Sequence, residues 1–228
     1  MRLRLIVVLG ILFFVSQVYA EEKLVLKNQK DKMSYIIGMD IGNNLKKQSI
    51  DVDPNILAKG VKDALAGGKP LLTEQEISET TAAFQKEMMA KQEQVAKKNK
   101  AEGDAFLSEN KKKEGVKTLP SGLQYKVIKA GTGKKPKSTD TVTTHYRGTL
   151  INGTEFDSSY KRGQTVSFPV SGVIPGWTEA LQLMEEGAKW QLFIPSNLAY
   201  GERGAGGLIG PNATLIFEIE LISIQEKK

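Results

Sequence analysis

Residues able to do covalent or metal chemistry are scarce in this sequence. Among 228 residues there is no cysteine and a single histidine, His145. Thiol nucleophiles, disulfides, cysteine-ligated zinc, iron–sulfur clusters and paired-histidine acid–base sites are therefore excluded. A serine triad lacks both its Gly-x-Ser-x-Gly elbow and a spare histidine base. Gly131-Thr132-Gly133-Lys134-Lys135 misses the spacing and the trailing hydroxyl residue of a phosphate loop and reads as a turn. Gly204-Ala205-Gly206-Gly207 neither follows a strand nor opens a helix, which argues against a dinucleotide site. His145 falls out of phase with Val142, Thr144 and Tyr146 and reads as a hydrogen-bonded structural residue. What remains is a set of aromatic side chains gathered around a few polar ones. They lie in Tyr146, Phe156-Asp157-Ser158-Ser159, Gly172-Val173-Ile174-Pro175-Gly176-Trp177, Ala199-Tyr200-Gly201 and Ile209 to Leu215.

The elements that carry this set read as strands. Leu123, Tyr125 and Val127 alternate with polar residues, as do Val166, Phe168 and Val170. Val142, Thr144 and Tyr146 share one strand face. Trp190, Leu192 and Ile194 share another, and Leu215, Phe217, Ile219 and Leu221 a third. Asn152-Gly153 is a two-residue hairpin signal between Ile151 and Thr154. Trp177 to Met184 is the one helical stretch, apolar at Trp177, Leu181 and Met184. The expected fold class is α+β: five or six antiparallel strands wrapped around a short helix, since nothing else covers the apolar face of that helix.

Upstream the grammar changes. Residues 21–116 hold three aromatic residues and residues 117–228 hold ten, together with six of the eight prolines. Met33, Ile37, Ile41 and Leu45 recur every four residues, beside a stripe of Ser34, Gly38 and Gly42. Asp53-Pro54 opens a second helix that buries Leu57, Val61 and Leu65 and stops at Gly67-Gly68. Thr73-Glu74-Gln75-Glu76 is a capping box that starts a third, running to Glu114 and about 60 Å long at 1.5 Å per residue. Its apolar positions Ile77, Phe84, Met88 and Val95 fade into lysine and glutamate, which predicts a packed first half and a solvated second half. Gly103 is the expected weak point of this helix. Short helices and a protruding one make too small a core for one chain, so a second copy is expected to pair through residues 21–116.

At the amino terminus Arg2 and Arg4 precede an apolar run from Leu5 to Val15, then small residues ending at Ala20. The run is shorter than the ~20 apolar residues of a spanning helix and reads as a cleaved signal peptide over residues 1–20. Export is expected, to the periplasm if the host is a bacterium with two membranes, with no stable membrane insertion after cleavage and with outer-membrane association or the cell surface as alternatives. Without Arg2 and Arg4 there are 30 basic against 26 acidic side chains, dispersed along the chain, so no nucleic-acid partner is expected.

The aromatic and glycine motifs, in this order from about Ser121 to Ile224, resemble the FKBP family of macrolide-binding peptidyl-prolyl cis/trans isomerases. The join Leu119-Pro120-Ser121-Gly122-Leu123-Gln124-Tyr125 and the helices before it resemble the exported Mip and FkpA type. That resemblance implies an all-α dimerisation domain with a long stalk helix over residues 21–116 and an FKBP-like domain over residues 117–228. It implies Asp157 and Tyr200 as catalytic residues. The substrate pocket implied is Tyr146, Phe156, Arg162, Phe168, Val173, Ile174, Trp177, Ile209 and Phe217. Trp177 would be its floor, Arg162 would orient Asp157, and the Ile174 amide would bind a substrate carbonyl. Val166 and Ala205 stand where relatives often carry phenylalanine and histidine, a change at the pocket rim. Expected partners are unfolded or proline-containing polypeptides and macrolide inhibitors, with no metal or cofactor. A holdase-type chaperone dimer, with turnover secondary, is the alternative.

Overall fold

The computed structural model describes residues 25–225, so the expected signal peptide lies outside the described residues. The three leading helices start where local capping chemistry says they should. Helix α1 (Gln29–Lys47) opens on a reciprocal pair in which the Asp31 amide donates to Asn28 Oδ1 at 3.0 Å and Asp31 accepts the Asn28 amide in return. Helix α2 (Pro54–Leu65) is capped by Asp53, which accepts the Asn55 amide at 2.7 Å, and carries proline in its first turn. Helix α3 (Glu74–Asn110) opens on the Thr73–Glu76 box, with the Thr73 amide donating to Glu76 Oε2 at 2.8 Å.

Two units divide the chain at Asp51, α1 falling in the first and everything after it in the second. In the first unit α1 has no buried residue, and Met33, Ile36, Ile37 and Met39 are each about half exposed. In the second unit α2 likewise buries nothing, and Ile56 and Leu65 stand open to solvent.

The long helix departs from its sequence reading. Within one chain its first half is exposed, including Ile77, Phe84 and Met89, and its buried residues are Gly103 and Asn110 in the second half. The lysines at 97, 98, 100 and 111 to 113 do face solvent. The opposite side of the same turns lies against the sheet domain. Gln124 donates to the Leu107 carbonyl at 2.9 Å and accepts from Asn110 at 3.0 Å, while Phe106 tilts against Phe193 at 6.0 Å. Hydropathy alone missed this because the contact is made by an amide, an aromatic ring and a glycine rather than an apolar stripe.

The sheet has seven antiparallel strands: β1 (Val116–Thr118), β2 (Gln124–Lys129), β3 (Thr141–Leu150), β4 (Glu155–Ser158), β5 (Val166–Pro169), β6 (Lys189–Ile194) and β7 (Leu215–Gln225). Their order is β1-β2-β6-β7-β3-β4, with β5 pairing to β3. The count exceeds the expected five or six because Val116–Thr118, for which the sequence offered no strand pattern, pairs with β2. The β3–β4 connection is also longer than a two-residue hairpin. Only Gly153 takes positive φ, at 86°, and Leu150 and Thr154 are bonded across it at 2.9 Å.

Helix α4 (Pro175–Leu181) packs against the strands. Its Ala180 and Leu181, with Met184 just beyond, are fully buried among Val142, Leu192, Ile194, Ile219 and Leu221. Each such leucine or isoleucine adds about 1.5–3 kcal/mol of burial. Gly176 permits the close approach, since a Cβ there would stand 2.6 Å from Ile194 Cγ2.

Candidate active site

Four strands and α4 bring the aromatic set together. Ile174 ends an extended segment and Pro175 begins the helix, so Trp177 points inward from its first turn and is only 4% exposed. Three rings from three strands stand nearly perpendicular to the indole. Tyr146 from β3 lies at 5.1 Å and 84°, Phe168 from β5 at 5.8 Å and 85°, and Phe217 from β7 at 5.1 Å and 83°. Phe156 from β4 meets Phe217 at 5.4 Å in the same edge-on manner, the arrangement that aromatic quadrupoles favour. The indole N–H finds no acceptor among the described residues.

A polar cluster sits on one rim. Tyr146 donates its hydroxyl proton to Asp157 Oδ2 at 2.5 Å, and Arg162 donates to Tyr146 Oη at 2.7 Å and to Asp157 Oδ1. The guanidinium also lies 5.5 Å from the Tyr146 ring centre. Partial burial pushes the Asp157 carboxyl up, but the hydrogen bonds from Tyr146 and Arg162 outweigh it and hold the group below its ordinary value. Burial, then the bond to Asp157, raises Tyr146; burial, then the charge of Asp157, raises Tyr200. The cluster is thus a charged carboxylate flanked by two tyrosines that keep their protons.

The cleft has a volume of about 570 Å³, within the usual range for small-ligand sites. Ten of the eleven residues singled out from sequence line it: Tyr146, Phe156, Asp157, Phe168, Val173, Ile174, Trp177, Tyr200, Ile209 and Phe217. Arg162 does not line it and touches Asp157 and Tyr146 from outside. Of the two rim departures, Ala205 faces the cleft, while Val166 packs against the core instead. Besides the Trp177 indole, two further lining residues carry a donor without a protein partner. Neither the Tyr200 hydroxyl nor the Ile174 amide makes a hydrogen bond among the described residues.

Some contributors escaped the sequence reading. Leu208 and Gly206 also line the cleft, as does Gly172 at the head of the Gly172–Trp177 motif. Gly148, in the middle of β3, has no side chain because a Cβ there would stand 2.6 Å from Phe156 and 2.7 Å from Phe217. A lone glycine inside an alternating strand was the available signal, marking a close approach. His145 stacks on Tyr160 at 4.1 Å and shares a 2.6 Å hydrogen bond with Ser159, behind the site rather than in it.

Residues 132–222 match the family model described as FKBP-type peptidyl-prolyl cis-trans isomerase. Residues 30–127 match the one described as the domain amino terminal to it. The chain is 56% identical over 205 residues to Outer membrane protein MIP of Legionella longbeachae, covering 88% of each chain. The chain belongs to the FKBP-type peptidyl-prolyl cis-trans isomerases. Another member, Peptidyl-prolyl cis-trans isomerase Mip of Coxiella burnetii, is 48% identical over 206 residues, covering 89% of this chain and 90% of that one. The crystal structure of FkpA from Escherichia coli matches this FKBP with a TM-score of 0.63 at 43% identity, covering 88% of this chain and 99% of that one.

Proposed function

We propose that this FKBP turns X-Pro bonds of unfolded exported polypeptides in the cleft over Trp177, with Asp157 and Tyr200 as its catalytic residues. Rotation about a peptide bond costs ~18–20 kcal/mol because resonance holds the amide planar. Proline leaves cis and trans close in energy, so lowering the barrier requires no covalent step. A cleft walled by Tyr146, Phe156, Phe168 and Phe217 desolvates the amide and weakens its charge-separated resonance form. The proline ring lies on the indole. Asp157 faces the carbonyl as it twists, Arg162 fixes the carboxylate, and the Ile174 amide and Tyr200 hydroxyl hold neighbouring substrate carbonyls. Val173, Phe168 and Ile209 complete the apolar wall, which also suits a macrolide inhibitor. The observation that carries this reading is that Ile174 and Tyr200 bring donors without a protein partner to the lining of a largely apolar cleft.

In this reading residues 21–116 form the dimerisation domain and stalk, and residues 117–228 the isomerase domain. The exposed apolar residues of α1, α2 and the first half of α3 support pairing with a second copy. They also favour a second role in holding unfolded clients. The leader over residues 1–20 and the outer-membrane name of the Legionella relative support a periplasmic or outer-membrane-associated location. Among the described residues no helix is long and apolar enough to cross a membrane.

The test is the cis-to-trans relaxation rate of a short X-Pro peptide with the chain from Glu21 to Lys228, beside an Asp157→Ala, Tyr200→Phe double variant. A large acceleration that the double variant loses is the expected result. Acceleration that persists in the variant overturns the two catalytic assignments. If protection of an aggregating client survives loss of Asp157 and Tyr200 but not of the helical region, the holdase role stands apart from turnover.

A further inference from the structure

The loop that closes one side of the cleft has little internal support. Between Gly204 and Ile209 the backbone is tied by one bridge, Ala205 to Ile209, with bonds of 2.8 and 3.0 Å. Gly204, Gly206 and Gly207 all sit at positive φ. Yet Ile209 is only 8% exposed and forms part of the cleft wall. The outer side of the segment that follows it lies against α3.

One helix face makes that contact at spacings of four, so its residues stack along a single line. Asn99 donates from Nδ2 to the Pro211 carbonyl at 2.8 Å across a partly buried contact. At Gly210 a Cβ would stand 2.9 Å from Asn99 Nδ2 and 3.4 Å from Val95 Cγ1. One turn further, a Cβ at Gly103 would stand 2.3 Å from Thr214 Oγ1, and Thr214 itself is 5% exposed. Proline at 211 offers a carbonyl and no N–H, so the Asn99 amide is matched to the group the loop presents there. The helix therefore grips the chain two residues beyond Ile209, where a small displacement moves the wall of the cleft.

We propose that Asn99 is a positioning residue for the isomerase: its amide latches the Pro211 carbonyl, so that α3 sets how closely the Gly204–Ile209 loop closes over a bound peptide. The stalk helix is then part of the support of the active site as well as a spacer. The proposal rests on the reading of the cleft as the X-Pro site.

The experiment uses the full exported chain with Asn99→Ala and Asn99→Asp, the latter keeping the shape but losing the donor. Lys98→Ala, on the solvent side of the same turn, is the control. Loss of one such hydrogen bond is expected to lower kcat/KM on a short X-Pro peptide roughly three- to tenfold. The fall is expected in KM, with kcat within about twofold of the parent, because the loop closes on the substrate and does no chemistry. Amide exchange at Ala205 and Ile209 is expected to accelerate in both variants and to stay at the parent rate in Lys98→Ala. Parental kcat/KM in both variants overturns the proposal, whether or not exchange accelerates. So does an equal fall in Lys98→Ala, or a fall in kcat at parental KM. An Asp157→Ala, Tyr200→Phe variant run alongside separates the two readings: if it keeps full activity, the site assignment fails by itself, independently of the Asn99 result.

Discussion

A carboxylate at the edge of an aromatic cleft is pulled two ways. Burial favours the neutral acid, and donors favour the anion; for Asp157 the donors win, because Tyr146 and Arg162 each give it a hydrogen bond. A group whose pKa is lowered on folding stabilises the fold fully above the unfolded value and loses that contribution as pH falls through the folded one. The kcat/KM profile on an X-Pro peptide is therefore expected to stay flat from neutrality down to about pH 5 and to fall only below the ordinary carboxylate range near ~4. On the alkaline side the raised tyrosines extend the plateau past about pH 10, where a free phenol ionises. Stopped-flow rates across that range check both limbs, and an acid limb near neutrality would refute a charged Asp157. Gly148 shows the same logic in packing. Two aromatic rings occupy the space of its absent side chain, so the cage depends on a residue that contributes no atoms to it.

Helix α3 is where local and tertiary preference oppose each other. In an isolated helix, replacing Gly103 by alanine would gain about 1 kcal/mol. In the folded chain the added methyl meets the Thr214 side chain, and overpacking of this kind costs typically about 1–3 kcal/mol. Gly103→Ala is thus expected to destabilise the docked helix, read as a lower urea midpoint in the fluorescence of Trp177 and Trp190. A raised midpoint would mean that the helix end stands off the sheet domain. The same position was expected from sequence to be a flexible weak point. In the structure it is a place where α3 packs closely against Thr214, just before β7.

At the scale of the whole molecule the leading helices and the sheet domain differ in how they meet solvent. The sheet domain buries its apolar residues around α4, whereas α1 and α2 bury none and the first half of α3 leaves Ile77, Phe84 and Met89 open. Exposed isoleucine, leucine and methionine at this density predict self-association. Sedimentation equilibrium of the chain from Glu21 to Lys228 is expected to give twice the chain mass. An Ile37→Glu, Ile41→Glu variant is expected to shift toward the single mass while turning over a short peptide at the parent rate. A parent that stays monomeric at tens of micromolar would leave those faces to clients alone.

Much of this was decided close to each residue along the chain. The capping box at Thr73 and the proline start after Asp53 bond amides within three residues, so the sequence alone places those two helix starts; the equally local box at Asn28 was not read from it. Strand alternation and the separated aromatic motifs likewise identify the family and nearly the whole cleft lining, because residue type and order carry that information directly. Contacts between distant segments had to wait for the fold. Asn99 meets Pro211 from 112 residues away, Gly103 meets Thr214, and Gly148 meets Phe156 and Phe217. A hydropathy pattern records which side chains avoid water. It is silent about a single amide that finds a carbonyl, or a glycine whose missing Cβ is filled by a neighbour. Those contacts exist only once the backbone has brought both partners to the same place.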